Sequence, residues 1–283
     1  MELFRMIKGD ARRAMHFCGG RAVASLMIIS LAHLSVSLTE TLLLFLFFGS
    51  ESIYYDFYSF YNRSPEVIAI TAAAAVLWFL FIPALLLGYT KLHLSFAEGN
   101  DESISVLFEM FSSFKKFIGS AVFFVVFAAR YIFVFGIALL PGGAFFWFAQ
   151  NYINPASRTI EILKTIAVSI SVIITVLCVF LAIIFVQRWS LAAFYRISGN
   201  GIFKSFSLSA KATKGLYTRI IGFKCSFLGW GILSFFVLPL LWAIPYYSIS
   251  NAIFSKYLME KYEHSLAEIP KTISADITFK ETD

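Results

Sequence analysis

Hydrophobic and polar positions in this chain fall into long blocks rather than alternating. Runs such as Phe117 to Leu140 and Ile166 to Val186 hold almost no charge, and the shorter stretches between such runs hold almost every Lys and Arg. Blocks of this length can cross a bilayer, because a helix needs about 20 mainly apolar residues to traverse about 30 Å of hydrocarbon. The pattern predicts an all-α, polytopic helical membrane protein of about six transmembrane helices, with spans near 22–48, 67–90, 117–140, 160–187, 216–237 and 239–258. The last two spans rest on one break. Residues 215–254 are far too long for a single crossing at about 1.5 Å per residue. Leu238-Pro239 divides them, since proline removes a helix donor and clashes with the preceding turn.

Between the blocks, three stretches carry the period of a one-faced helix. In Asp101 to Phe117, Ile104, Leu107, Phe108, Phe111 and Phe114 recur at spacings of three and four, with Asn100 as a cap and Asp101 and Glu102 at the positive helix end. Ile202, Phe206, Ser209, Thr213 and Leu216 form a second stripe beside Lys204, Lys211 and Lys214. The first fifteen residues set Leu3, Ile7, Ala11 and Ala14 against Arg5, Lys8, Arg12 and Arg13. All three read as interfacial amphipathic helices lying along the membrane surface. The loop 50–66, dense in Tyr54, Tyr55, Phe57, Tyr58, Phe60 and Tyr61, is expected at the opposite interface. Residues 141–153 begin with a helix breaker and are too short to span, which fits a re-entrant or interfacial segment.

The cations give the direction, because short cytoplasmic loops carry an excess of Lys and Arg. Arg5, Lys8, Arg12, Arg13 and Arg21 precede the first span; Lys91, Lys115 and Lys116 lie between the second and third. Arg188, Arg196, Lys204, Lys211, Lys214 and Arg219 lie between the fourth and fifth. The intervening segments hold only Arg63, Arg158 and Lys164. This alternation predicts a plasma-membrane protein with both termini cytoplasmic: a single integral domain over 1–260 and a polar cytoplasmic tail over 261–283. A five-span reading would leave Lys256, Lys261, Lys271 and Lys280 on the other side. The N-terminal run from Ala22 to Phe48 exceeds the about 7–15 apolar residues of a secretory signal, so it is expected to stay as a membrane helix.

Composition narrows the chemistry. Of 283 residues, 59% are hydrophobic and 14% charged, with 33 Phe, where soluble domains average about 25% charged. The net charge of +6 lies beside the apolar runs rather than in a separate basic domain, so its expected partners are anionic lipid headgroups and not nucleic acid. Cys18, Cys178 and Cys225, and likewise His16, His33, His93 and His264, show no metal-ligand spacing; no metal or cofactor is expected. There is no Gly-rich phosphate loop, no paired-histidine zinc helix and no Gly-x-Ser-x-Gly elbow.

Charge inside a span is the remaining candidate for function. Arg130 sits between Phe123 to Ala129 and Tyr131 to Phe135, and counting from Lys116 puts it about 21 Å into the third span. Glu40 in the first span is its prospective counter-charge. Gly222 and Gly229, with Gly231 beyond, offer close backbone approach, while Trp230, Pro239 and Pro245 shape the last hairpin. Lys224 is expected to reach the headgroups along its flexible stem.

The order of elements resembles a family. Pro83-Ala84-Leu85-Leu86-Leu87-Gly88, then Ala97-Glu98-Gly99 and the acidic amphipathic stretch ending Met110-Phe111-Ser112-Ser113-Phe114-Lys115-Lys116-Phe117, is similar to the central part of a bacterial family of uncharacterised integral membrane proteins, domain of unknown function 975. Ser207 to Gly215, Ser226-Phe227-Leu228-Gly229-Trp230 and Pro245-Tyr246-Tyr247 resemble its later helix and closing hairpin. The resemblance covers about residues 5 to 260. Members usually join the third and fourth spans closely through a Pro-Gly turn. Here Pro141-Gly142 is followed by an extended segment before Arg188-Trp189-Ser190. The resemblance implies a bacterial plasma membrane and lends no activity. We therefore expect a non-enzymatic membrane packing, scaffold or partner-regulating protein, with a membrane-protein partner or a second copy. The alternative is a small-solute transporter or channel component using Arg130 and Glu40.

Overall fold

The structure, a computed structural model, describes residues 2–49, 65–153, 158–233 and 237–267. These residues are mostly helical, with no strand among them. The α-helices are α1 (Glu2–Phe48), α2 (Pro65–Ala97), α3 (Phe114–Tyr152), α4 (Arg158–Val186), α5 (Ala192–Ile197), α6 (Ile202–Ala212), α7 (Tyr217–Cys225), α8 (Leu228–Leu233) and α9 (Val237–Ala267). Short 3-10 helices cover Ile104–Phe111 and Gln187–Trp189. Among the described residues, four helical stretches are long and apolar enough to cross a membrane: α1, α2, α3, and α4 with its continuation to Ile197.

At 47 residues, α1 is about 70 Å long, more than twice the hydrocarbon thickness. Its two halves accordingly meet different surroundings. Ile7, Ala11, Met15, Cys18, Ala22 and Ser25 are buried in protein, whereas Leu31, Leu34, Leu38, Leu42, Phe45 and Leu46 are exposed. In α2 the order is reversed: Ile68, Val76, Leu77 and Phe79 are exposed, and Ile82, Leu85, Leu87, Leu92 and Phe96 are buried. The two helices form an antiparallel hairpin. The Trp78 indole N–H donates to His33 Nδ1 at 2.7 Å, and Ile28, Ile29 and Ala32 pack against Ile82 and Leu85.

α3 and α4 form the second hairpin, also antiparallel. Gly142 faces Ser171 and Thr175, Lys164 Nζ donates to the Gln150 carbonyl at 3.4 Å, and the Tyr131 and Trp189 rings lie 5.9 Å apart. This register sets Val186, the last residue of α4, level with Arg130.

The buried halves of α1 and α2 join α5, α6, α7, α9 and the 3-10 helices in a packed base. One core gathers Ile7, Leu92, Ile220, Phe223, Ile249 and Leu258, and a second gathers Ala84, Leu87, Phe123, Trp189, Ala192 and Phe206. Burying such side chains from water stabilises by about 1.5–3 kcal/mol each. Between helices already in lipid that force is absent, so close contact at small residues such as Gly142 matters more.

Several elements differ from expectation. α3 runs unbroken through Pro141 to Tyr152, so residues 141–153 form no separate re-entrant segment. The donor lost at Pro141 is tolerable because α4 packs closely at the next residue, Gly142, and buries it. The long α3 also accounts for the extended segment after Pro141-Gly142. The expected span 216–237 is not one helix: α7 ends at Cys225, a turn follows, and α8 is only six residues long. Residues 234–236, between α8 and α9, lie outside the described residues. Pro239 occupies the first turn of α9, where a missing N–H has no intrahelical partner to lose. Residues 104–111 form a 3-10 rather than an α-helix, capped by Ser103, whose hydroxyl accepts from the Ser105 N–H at 3.3 Å; Asn100 instead donates to Glu98. Gly215, at φ +77°, provides the left-handed turn between α6 and α7. α9 continues to Ala267, past the expected start of the tail at 261. The aromatic loop 50–64 and residues 268–283 lie outside the described residues.

Candidate functional site

Most charged side chains that make tertiary contacts among the described residues lie in the base; Lys164, on Gln150, is an exception. At its centre, Glu109 on the 3-10 helix meets Lys91 of α2 through Oε2 and accepts from Lys116 of α3 through Oε1 at 3.1 Å. The bond from Lys91 holds the Glu109 carboxyl below its usual pKa; partial burial opposes this, and Lys116 reinforces it. One carboxylate thus ties three elements. Nearby, Arg21 pairs with Asp101 and donates to the Glu102 carbonyl at 2.9 Å, with its guanidinium 5.6 Å from the Phe96 ring centre. Asp101 is largely exposed, so that pair is screened and weak.

Arg130 and Arg188 occupy the junction of α3, α4 and α6. The Arg130 guanidinium lies 4.3 Å from the Phe206 ring centre and 5.4 Å from that of Trp189, and Arg188 lies 4.7 Å from that of Phe185. Aromatic faces attract a cation, by about 0.5–1 kcal/mol where exposed and more when desolvated. The backbone beneath is fixed by Ser209 on α6. Its hydroxyl donates to the Arg188 carbonyl at 2.8 Å and accepts from the Leu191 N–H at 3.1 Å, while Thr213 donates to the same carbonyl at 3.3 Å. Ser209 and Thr213 belong to the amphipathic stripe read from the sequence, so that stripe is the packing face of α6 against the end of α4.

α3 is 39 residues long, and its first part packs in the base. Arg130 is level with the end of α4 and stands beside Arg188 and the Trp189 ring. Glu40 lies elsewhere, lining a cleft of about 210 Å³ between α1 and α2 with Thr39, Leu43, Ile70 and Ala74. The structure does not bring Glu40 and Arg130 together.

The remaining sequence candidates disperse. Gly222 touches the Phe4 ring, a Cβ there meeting it at 3.7 Å, but no described residue lies within 4 Å of a Cβ at Gly229. The closest approaches occur at Gly88, against the Leu107 backbone, and at Gly142. Only the facing backbone distinguishes these glycines, and local sequence does not reveal it. Lys224 does not extend to a surface; it donates to Gln187 Oε1 at 2.6 Å. Pro245 is buried within α9. His93 is buried, its Nδ1 bonded to the Tyr89 carbonyl at 2.8 Å. Among the described residues, no three His, Cys, Asp or Glu side chains gather into a metal-binding group.

Clefts open around α1. One of about 600 Å³ is bordered by Asp10, Arg13, Phe17, Arg21 and Asp101. On the other face, clefts of about 550 and 410 Å³ share Arg12 as a common wall. The model of the family described as "Protein of unknown function (DUF975)" matches residues 5–261. No curated protein and no solved structure matches the chain.

Proposed function

The chain belongs to the DUF975 family, and from that premise we propose that it is a non-enzymatic, multi-pass protein of a bacterial plasma membrane. Both termini are cytoplasmic, and it acts as a packing, scaffold or partner-regulating protein through its base. The observation that supports this is the sorting of polar contacts. Among the described residues, the ion pairs joining different elements, Arg21 with Asp101 and Glu109 with Lys91 and Lys116, lie in the base. The long hairpins turn Leu, Ile, Phe and Val outward toward lipid.

A transport role through Arg130 and Glu40 has less behind it, because the two lie in separate clusters. The discriminating experiment pairs Arg130→Leu with reconstitution. A scaffold retains its cellular phenotype in the variant, and vesicles containing the wild-type protein show no solute flux or ion current above empty vesicles. Flux that disappears in Arg130→Leu and in Glu40→Gln would establish the transport reading instead.

A further inference from the structure

α1 carries Arg5, Lys8, Arg12 and His16 at spacings of three and four, hence on one face. That face borders the two clefts that share Arg12. The lower cleft is walled by Phe4, Gly222 and Ser226, the upper by Trp230, Trp242 and Tyr246. Among the described residues, no carboxylate lines either one. Lys8 is held in place, its Nζ donating to the Ser226 carbonyl at 2.8 Å above the Phe227 ring. Tyr246 is held too, its hydroxyl donating to the Lys8 carbonyl at 3.3 Å. Arg5 and Arg12 are exposed, with no ion pair or hydrogen bond among the described residues.

Two features indicate what this groove would accept. It is cationic along α1 and aromatic along α8 and α9, so it suits a ligand with an anionic head and an apolar body. Its position is equally informative. The Trp242 indole packs on Gly19, where a Cβ would meet the ring at 3.5 Å. Gly19 lies three residues before Ala22, where the charge-free run of α1 begins. The aromatic end of the groove therefore opens at the level where headgroups meet hydrocarbon, the zone that Trp and Tyr favour. A free phosphate would find cations here but no use for the indole wall.

We propose that the Arg5–Lys8–Arg12–His16 face and the Trp230–Trp242–Tyr246 wall together form a binding site for an anionic phospholipid. The phosphate sits on Arg12 and its neighbouring cations, and an acyl chain runs along the indoles. The site rests on the reading of the base as the cytoplasmic side of a membrane protein and gives that base a specific lipid ligand.

The test titrates the purified full-length protein in neutral detergent with phosphatidylglycerol and with phosphatidylcholine of the same chains, bound lipid being counted by native mass spectrometry. Phosphatidylglycerol is expected to bind more tightly. Each arginine near an anionic surface contributes about fivefold, so the double variant Arg5→Gln/Arg12→Gln weakens binding about 25-fold. A variant matched in charge but away from the groove, Lys115→Gln/Lys204→Gln, stays within about twofold. Should the double variant fail to purify as a single species, Arg12→Gln alone is expected to weaken binding about fivefold. Inorganic phosphate and glycerol phosphate at equal concentration leave the lipid bound. Equal affinity for the two lipids, equal loss in the two double variants, or displacement of lipid by phosphate would each overturn the site. Solute flux in vesicles would count against the scaffold reading and leave this lipid preference standing, so the two proposals fail separately.

Discussion

Replacing Gly88 by alanine sets a methyl group against the backbone of the 3-10 helix that lies on α2. The new Cβ would stand 2.7 Å from the Leu107 carbonyl carbon and 2.9 Å from its Cα, with the carbonyl oxygen closer still, where carbon contacts ordinarily settle at about 3.5–4.0 Å. These are backbone atoms, so no rotamer change relieves the contact, and residues 104–111 must lift by about 1 Å. Leu107, now fully buried, then loses part of a burial worth about 1.5–3 kcal/mol. Overpacking adds about 1–3 kcal/mol, and Glu109 shifts relative to Lys91. The better helix propensity of alanine returns about 1 kcal/mol. The net expectation is a destabilisation of about 2–4 kcal/mol, a fall in midpoint of about 5–15 °C in thermal unfolding of the detergent-solubilised protein. Gly136→Ala is the control, since nothing lies within 4 Å of its Cβ position; it is expected to be neutral or slightly stabilising. If Gly88→Ala unfolds together with wild type and with Gly136→Ala, the close stacking of the 3-10 helix on α2 is wrong.

Two further perturbations probe the base. Ser209→Ala leaves the buried Leu191 N–H without its acceptor while Thr213 still serves the Arg188 carbonyl. It is expected to cost about 1–3 kcal/mol in chemical denaturation, whereas Ser207→Ala, on the exposed side of α6, stays within about 0.5 kcal/mol. Equal effects would place the hydroxyl outside the junction. Glu109→Gln tests the three-element tie through pH. The folded pKa of Glu109 lies below its unfolded value, so its stabilisation is complete above the unfolded value of about 4.3 and is lost as pH falls through the lowered one. The stability gap between wild type and Glu109→Gln is therefore expected at pH 7 and should close in strong acid. A gap of constant size across that range would refute the ion-pair account.

Much of the architecture is legible in residue order because length and apolarity are properties of the chain alone. The runs beginning at Ala22, Val67, Phe117 and Ile166 lie in the four long helical stretches. The stripe Phe206, Ser209 and Thr213, read as the face of an interfacial helix, is instead buried in protein against the end of α4. What depends on the register between helices is not legible. The neighbours of Arg130 are one case: only the antiparallel register of α3 and α4 sets it beside Arg188 and Trp189. Pro141 has the local chemistry of a break, yet the close packing at Gly142 lets α3 continue. Gly229 has the composition of a packing residue but no described neighbour within 4 Å of its Cβ position, while Gly88, in an ordinary apolar run, lies directly against the backbone of the 3-10 helix. Lys224 shows the same limit: its long stem suits a surface, but Gln187 draws it inward.

The central claim is that the base and the hairpin tips lie on opposite sides of a membrane. It is tested most directly by introducing single cysteines at Lys211 in the base and at Tyr152 at the far end of α3, after replacing Cys18, Cys178 and Cys225. Labelling with a membrane-impermeant thiol reagent in intact cells should reach position 152 alone, and position 211 only after the membrane is opened. Labelling of both positions from the same side would contradict the account.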